Sequence, residues 1–201
     1  MRFFFSSLLV VAAALIFPLA AQAQSLLENG DFKNSTDPFK GWVTDYAWTK
    51  NHFYVENKDR LTVATDGARK CVNFGDAYPS GVKMESRAFP LEPGFKYICS
   101  LAIKGEDYRA YFAGYQWVPG IRPHDNPELS ELRMVYQSKP LKGENGEWME
   151  QKFELPGVVL SDDAKTYLKK VRYLTIYICM IKPGSIANVR LTKVPDPAMN
   201  F

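Results

Sequence analysis

Hydrophobic and polar positions alternate in short runs along most of the chain. "RLTVAT" (60–65), "KCVNF" (70–74), "KYICSLAIK" (96–104), "YRAYFAGYQWV" (108–118), "ELRMVYQS" (131–138), "WMEQKFEL" (148–155), "RYLTIYICMI" (172–181) and "IANVRLTKV" (186–194) all read as strands. They are rich in Val, Ile, Tyr, Phe and Thr, and Gly, Pro, Asn or Asp mark many of their ends. Only "SDDAKTYLKKV" (161–171) reads as a helix, with Ser161 at the N-cap and Asp162 and Asp163 in the first turn. The pattern predicts an all-β jelly-roll β-sandwich of two antiparallel sheets with one short helix near 161–171.

Parity assigns faces, because successive strand side chains point to opposite sides. Phe95, Tyr97, Cys99, Leu101 and Ile103 form one apolar set. Tyr108, Ala110, Phe112, Gly114 and Val118 form a second, and Leu174, Ile176, Ile178 and Met180 a third. These face the core. The opposite face then receives Arg109, Tyr111, Tyr115 and Trp117 from one strand, and Tyr173, Thr175, Tyr177 and Cys179 from another. Two strands thus place rings on a face that the core does not need.

The ends of the chain read differently. Arg2, the apolar stretch 3–19 and Ala21-Gln22-Ala23 form a secretory signal peptide, 1–23, with the domain at 24–194 and a loose tail at 195–201. This places the protein outside the cytoplasm, secreted or periplasmic. Nothing after the signal is long and apolar enough to span a membrane. Of 201 residues, 25 are Lys or Arg and 22 Asp or Glu, a balance that makes no case for nucleic acid. Cys71, Cys99 and Cys179 are odd in number and lack CxxC spacing, which excludes a CxxC metal or redox motif. They read as buried small hydrophobes, with a Cys71–Cys99 disulfide left open.

Catalytic signatures are sparse. There is no HExxH, no GxSxG and no phosphate-binding glycine loop. "PHDNPE" (123–128) brings His124, Asp125 and Glu128 together, a metal or acid–base cluster or simply a solvated turn. Glu147 and Glu150 lie three apart on a strand, so they point to opposite faces and form no glycosidase pair.

The opening "LLENGDF", its polar loop and "GW" (26–42) resemble the start of carbohydrate-binding modules of the family 4 and 9 type, which are galactose-binding-like jelly rolls. The resemblance continues in order through "FPLEPGFKYICSLAIKG" (89–105), "GEWMEQKFELP" (146–156) and "PGSIANVRLTKV" (183–194), and leaves 108–145 divergent. On the residues themselves, Asn29-Gly30 supplies positive-φ geometry, Phe32 and Trp42 anchor the core, and Pro93-Gly94 turns so that Tyr97 points inward.

The resemblance implies a non-catalytic protein that binds a polysaccharide or glycan chain. Sugar rings pack on aromatic side chains, with polar groups placed around them. The candidates are Arg109, Tyr111, Tyr115, Trp117, Tyr173 and Tyr177. The alternative is that these rings lie under the loop 119–131 or pack on one another. A second aromatic cluster comprises Tyr46, Trp48, His52, Phe53 and Tyr54. Related domains hold a structural calcium ion near their ends; Glu28, Asp31 and Asn188 are the oxygen donors here, but Lys33 and Ala187-Asn188 replace the carboxylates usual in the family. Two other functions stay open: an envelope module that binds a protein partner instead of sugar, and a small polysaccharide-active hydrolase or lyase.

Overall fold

The computed structural model describes residues 25–46, 59–157 and 162–200, with the side chain of Asn145 excepted. The expected signal peptide, Trp48, His52, Phe53, Tyr54 and the expected Ser161 cap lie outside these residues.

The strands are β1 (Trp42–Val43), β2 (Leu61–Asp66), β3 (Arg69–Phe74), β4 (Val82–Ser86), β5 (Phe89–Pro90), β6 (Phe95–Trp117), β7 (Leu132–Gln137), β8 (Leu141–Leu155), β9 (Tyr173–Met180) and β10 (Gly184–Pro195). A helix, α1 (Asp162–Leu168), precedes β9. The chain is an all-β jelly roll with one short helix. Its hydrogen-bonded order is β1-β4-β9-β6-β10-β3-β2, every pairing antiparallel; β5 adds to β9, and β7 and β8 add to β6.

The two expected strands 96–104 and 108–118 are one strand of 23 residues. It serves both layers of the sandwich. Its first half pairs with β10 and with the second half of β8. Its second half pairs with β9 and β7. Between them the register with β8 shifts twice, at Ile103/Gly105 and Glu106/Tyr108. Gly105 (φ 154°) and Asp107 (φ 54°) carry the irregular backbone. Such bulges bend a strand and reset which side chains face inward. The core set is therefore odd-numbered before the bend and even-numbered after it: Tyr97, Cys99, Leu101 and Ile103, then Tyr108, Ala110 and Phe112, all at most 1% exposed.

β9 supplies Leu174, Ile176, Ile178 and Met180 to the same core, each fully buried. Phe112 meets Phe153 edge-on at 5.1 Å. Fully burying a side chain of this size stabilises the fold by about 1.5–3 kcal/mol.

The opening turn is locked to the last strand. Asn29 takes the positive φ (51°). Its side chain donates to the Pro38 carbonyl at 2.8 Å, accepts from the Asn34 amide at 3.0 Å, and its carbonyl accepts from the Trp42 indole at 3.3 Å. Gly30 is required by close approach: a Cβ there would collide with the Val189 carbonyl oxygen. Phe32 and Trp42 pack at 5.5 Å, both buried, as core anchors. Gly94 has φ 80°, and Tyr97 points inward with its hydroxyl accepting from the Glu92 amide at 2.9 Å.

One expectation is corrected, and one alternative left open is decided. Residues 195–200 are not loose: Met199 is fully buried, its carbonyl accepts from the Gly94 amide at 3.1 Å, and Asp196 caps the short turn through the Ala198 amide. Cys71 and Cys99 form no disulfide; all three cysteines are buried free thiols. Cys71 packs with Ala102 and Ala187 on the outer face of the sheet, whereas Cys99 is inside the sandwich, so the sheet itself separates them.

Candidate functional site

The second half of β6 and the whole of β9 are neighbours in register, Tyr111 opposite Tyr177 and Tyr115 opposite Tyr173. Cross-strand partners share a face. The rings singled out from parity are therefore gathered on one outer surface. Tyr111 and Tyr177 stack at 4.6 Å with 16° between planes. Trp117 meets Tyr173 edge-on at 5.7 Å and His124 at 5.1 Å.

Exposure divides the six candidates. Arg109 is exposed, and Trp117, Tyr173 and Tyr177 are half-buried. Tyr111 and Tyr115 are buried at 8% and 5%. The loop before β7 accounts for part of this: Leu129 and Leu132 pack into the same cluster as Tyr111, Ala113 and Tyr115. Trp117, Tyr173 and Tyr177 keep part of their surface exposed, whereas Tyr111 and Tyr115 are nearly covered.

Beneath the rings lies a group that the strand pattern did not reveal. Glu85, on β4, is 3% exposed. Its Oε2 accepts from the Tyr115 hydroxyl at 2.7 Å and from Thr175 Oγ1 at 2.8 Å. Burial pushes its pKa up to about 7, against the lowering effect of its hydroxyl partners Tyr115, Thr175 and Tyr46 and of Lys83. Burial and the adjoining Glu85 also raise the Tyr115 phenol. This network fixes the tilt of Tyr115, and through β6 the floor of the aromatic surface. The only sequence sign of Glu85 is the alternation Val82, Met84, Ser86 against Lys83, Glu85 in a five-residue run.

Beside the rings, a cleft of about 750 Å³ opens between Glu28, the segment Trp42–Asp45, the segment Ser86–Phe89 and the loop Asn126–Ser130. Val43, Ala88 and Leu129 belong both to its wall and to the aromatic cluster, so cleft and surface are continuous.

The "PHDNPE" loop is held together by its own polar groups. His124 bonds Glu131 at 3.0 Å and the Asp125 carbonyl at 2.8 Å; both interactions raise its pKa, the Glu131 bond most. Glu131 in turn accepts from the Glu128 amide at 2.9 Å. His124, Asp125 and Glu128 thus shape a turn against Trp117. Among the described residues no group of three or more His, Cys, Asp and Glu is arranged to hold a metal. The three calcium candidates have other partners or settings. Glu28 is paired with Lys40 at 2.8 Å and Asp31 with Lys33 at 3.7 Å, while Asn188 sits with φ 51° in a bulge of β10. A hard cation wants several oxygens, and in this structure each of the two carboxylates faces a lysine ammonium instead.

No protein-family model matches the chain, and no curated protein is similar to it in sequence. Among solved structures it is similar to the CBM22-1–GH10 modules of Clostridium thermocellum endo-1,4-beta-D-xylanase 10B complexed with xylohexaose, at 14% identity and TM-score 0.46, covering 84% of this chain and 27% of that one. It is similar to TmCBM61 in complex with beta-1,4-galactotriose, at 15% identity and TM-score 0.45, over 86% of this chain and 100% of that one. A third is the N-terminal cellulose-binding domain of Cellulomonas fimi beta-1,4-glucanase C, at 11% identity and TM-score 0.42, over 85% and 96%. No helix among the described residues is long and apolar enough to cross a membrane. These three solved structures bear the names of carbohydrate-binding or cellulose-binding modules.

Proposed function

We propose that the protein is a secreted, non-catalytic carbohydrate-binding protein that holds a glycan chain against the outer face of β6 and β9. Trp117, Tyr173 and Tyr177 are the platforms, Tyr111 and Tyr115 the layer beneath, and Arg109 a hydrogen-bonding group at the side. The observation that carries this reading is the register of β6 against β9, which sets five rings on a face outside the core. Aromatic surface with a few placed polar groups suits the apolar faces and hydroxyl rims of pyranose rings. The neighbouring cleft extends the surface with polar groups for the remainder of a chain.

A binding role is favoured over catalysis by the state of Glu85. Among the described carboxyls it is the one raised toward neutrality, yet it is enclosed, and a general acid or base must come within hydrogen-bond reach of substrate.

Affinity electrophoresis against a panel of soluble polysaccharides tests the reading. Retardation by at least one glycan, weakened about tenfold or more by Trp117→Ala and by Tyr177→Ala, is expected, since truncating a platform ring removes its whole contact. Retardation by no glycan, with a protein partner recovered from envelope extracts, would transfer the aromatic face to protein recognition.

A further inference from the structure

The loop between β6 and β7 closes on itself and lies against the rings. The Val118 amide donates to the Glu131 carbonyl at 3.0 Å, so residues 119–130 leave and return at one point. Compact surface loops whose ends meet are frequently functional. The returning arm is anchored by Leu129, buried in the aromatic cluster. The outgoing arm carries His124. Its ring packs on Trp117 at 5.1 Å, and its carbonyl accepts from the Tyr173 hydroxyl at 3.5 Å. One residue of the loop thus touches two of the three half-exposed rings.

Both nitrogens of that imidazole face acceptors. Nδ1 lies 2.8 Å from the Asp125 carbonyl oxygen, and Nε2 lies 3.0 Å from Glu131 Oε1. A peptide carbonyl has no proton to give. Glu131 has none either: its Oε2 accepts from the Glu128 amide at 2.9 Å, and the His124 bond holds its pKa below the ordinary carboxylate value. A neutral imidazole owns one N–H and satisfies one of the two acceptors; an imidazolium owns two and satisfies both. The geometry therefore specifies the charged form. The titratable groups that bear on the ring are Glu131 and Asp125 from the loop and the Tyr173 phenol from β9, and both carboxylates favour the charge. Trp117, its neighbour on β6, does not titrate.

We infer that His124 makes the glycan site pH-sensitive: as an imidazolium it clasps the loop against Trp117 and Tyr173, and the loss of one proton opens the clasp and loosens that edge of the aromatic face. This rests on the carbohydrate-binding reading and names a regulation of the same site. The bond to Glu131, and after it the Asp125 carbonyl, raises the His124 pKa above its ordinary value of 6.5. The clasp is therefore closed below that raised pKa and is lost as pH rises through it. His124 is a positioning residue, acting through Trp117 and Tyr173.

Two measurements test this, and the first needs no ligand. Nitrogen-15 NMR of the imidazoles, with His124→Gln separating the His124 signals from those of His52, is expected to show His124 losing its second proton at a pH above 6.5. Glu131→Gln should bring that transition down. The second measurement is affinity at pH 6 and pH 9 for a polysaccharide that retards the parent protein. In Glu131→Gln the new amide accepts from the Glu128 N–H and donates to the bare Nε2 of a neutral His124, so the clasp no longer depends on the proton. The parent's affinity is expected to fall about threefold or more between the two pH values, the worth of about one hydrogen bond, and that of Glu131→Gln to stay level. Glu85 is the same in both proteins, so its titration drops out of the comparison. Circular dichroism confirms that each variant is folded. A His124 that titrates at or below its ordinary value, or the same pH dependence in parent and Glu131→Gln, overturns the clasp and leaves sugar binding standing. Retardation by no glycan at either pH overturns the carbohydrate reading and this regulation with it, whatever the imidazole shows.

Discussion

Strand β6 has one backbone and two unlike outer faces. Before the bend it shows Lys96, Ile98, Ser100, Ala102 and Lys104; after it, Arg109, Tyr111, Ala113, Tyr115 and Trp117. The first face is filled by its own side chains. Lys96 and Lys152 share Glu154, Lys104 meets Asp66 at 3.6 Å, and Arg69 meets Glu150 at 3.3 Å. Trp148 reaches from β8 across Ala102, Ala187 and Cys71, and its indole donates to Asp66 at 2.8 Å. The second face carries five rings, a buried carboxyl under them and Arg109 beside them. An aromatic residue on a sheet is therefore not by itself a ligand platform. Trp148 closes a surface, whereas the proposed function has Trp117 and Tyr177 furnish one.

The largest effect should come from the core both faces share. Phe112→Ala removes a ring that is fully buried against Phe153 and should cost about 3–5 kcal/mol in chemical denaturation. The loss should appear as one transition, since β6 runs through both layers. Two separate transitions would show that the halves fold independently.

Glu85 sharpens the contrast through pH. Its pKa rises from 4.5 to about 7 on folding, so between those values the folded state holds more protons than the unfolded. Stability should therefore fall as pH rises through that window and level off above it, by up to about 3 kcal/mol. Glu85→Gln keeps an acceptor for Tyr115 and Thr175 and should remove this slope. Denaturation midpoints at pH 5 and pH 8 that shift equally in both proteins would contradict the enclosed carboxyl.

Trp148→Ala should have the smallest consequence, about 1–2 kcal/mol of stability from lost packing and the Asp66 hydrogen bond. Its glycan affinity should match the parent protein. A loss of affinity would move part of the site to the first face.

The facing of β6 and β9 was legible because alternation over eight or more residues has few competing explanations. Leu174, Ile176, Ile178 and Met180 read directly as core. The union of 96–104 and 108–118 into one strand was not legible, since Gly105 and Asp107 look like a turn until β8 pairs across both sides of them. β4 was missed for a related reason. Its charged residues Lys83 and Glu85 suggest a loop, and Glu85 is buried only by partners 30 and 90 residues away in sequence. The closing turn was misread because Met199 is anchored by the Gly94 backbone, a contact no local pattern encodes. Among the candidate binders, the rings were legible by parity, but which of them the loop at Leu129 would cover was set by tertiary packing.

The most direct test of the central claim is a side-by-side affinity measurement of Trp117→Ala and Trp148→Ala on a glycan that binds the parent protein. The outer face of β6 and β9 as the binding surface predicts a loss of about tenfold or more for Trp117→Ala and none for Trp148→Ala. Retained affinity in Trp117→Ala, or an equal loss in both, would contradict it.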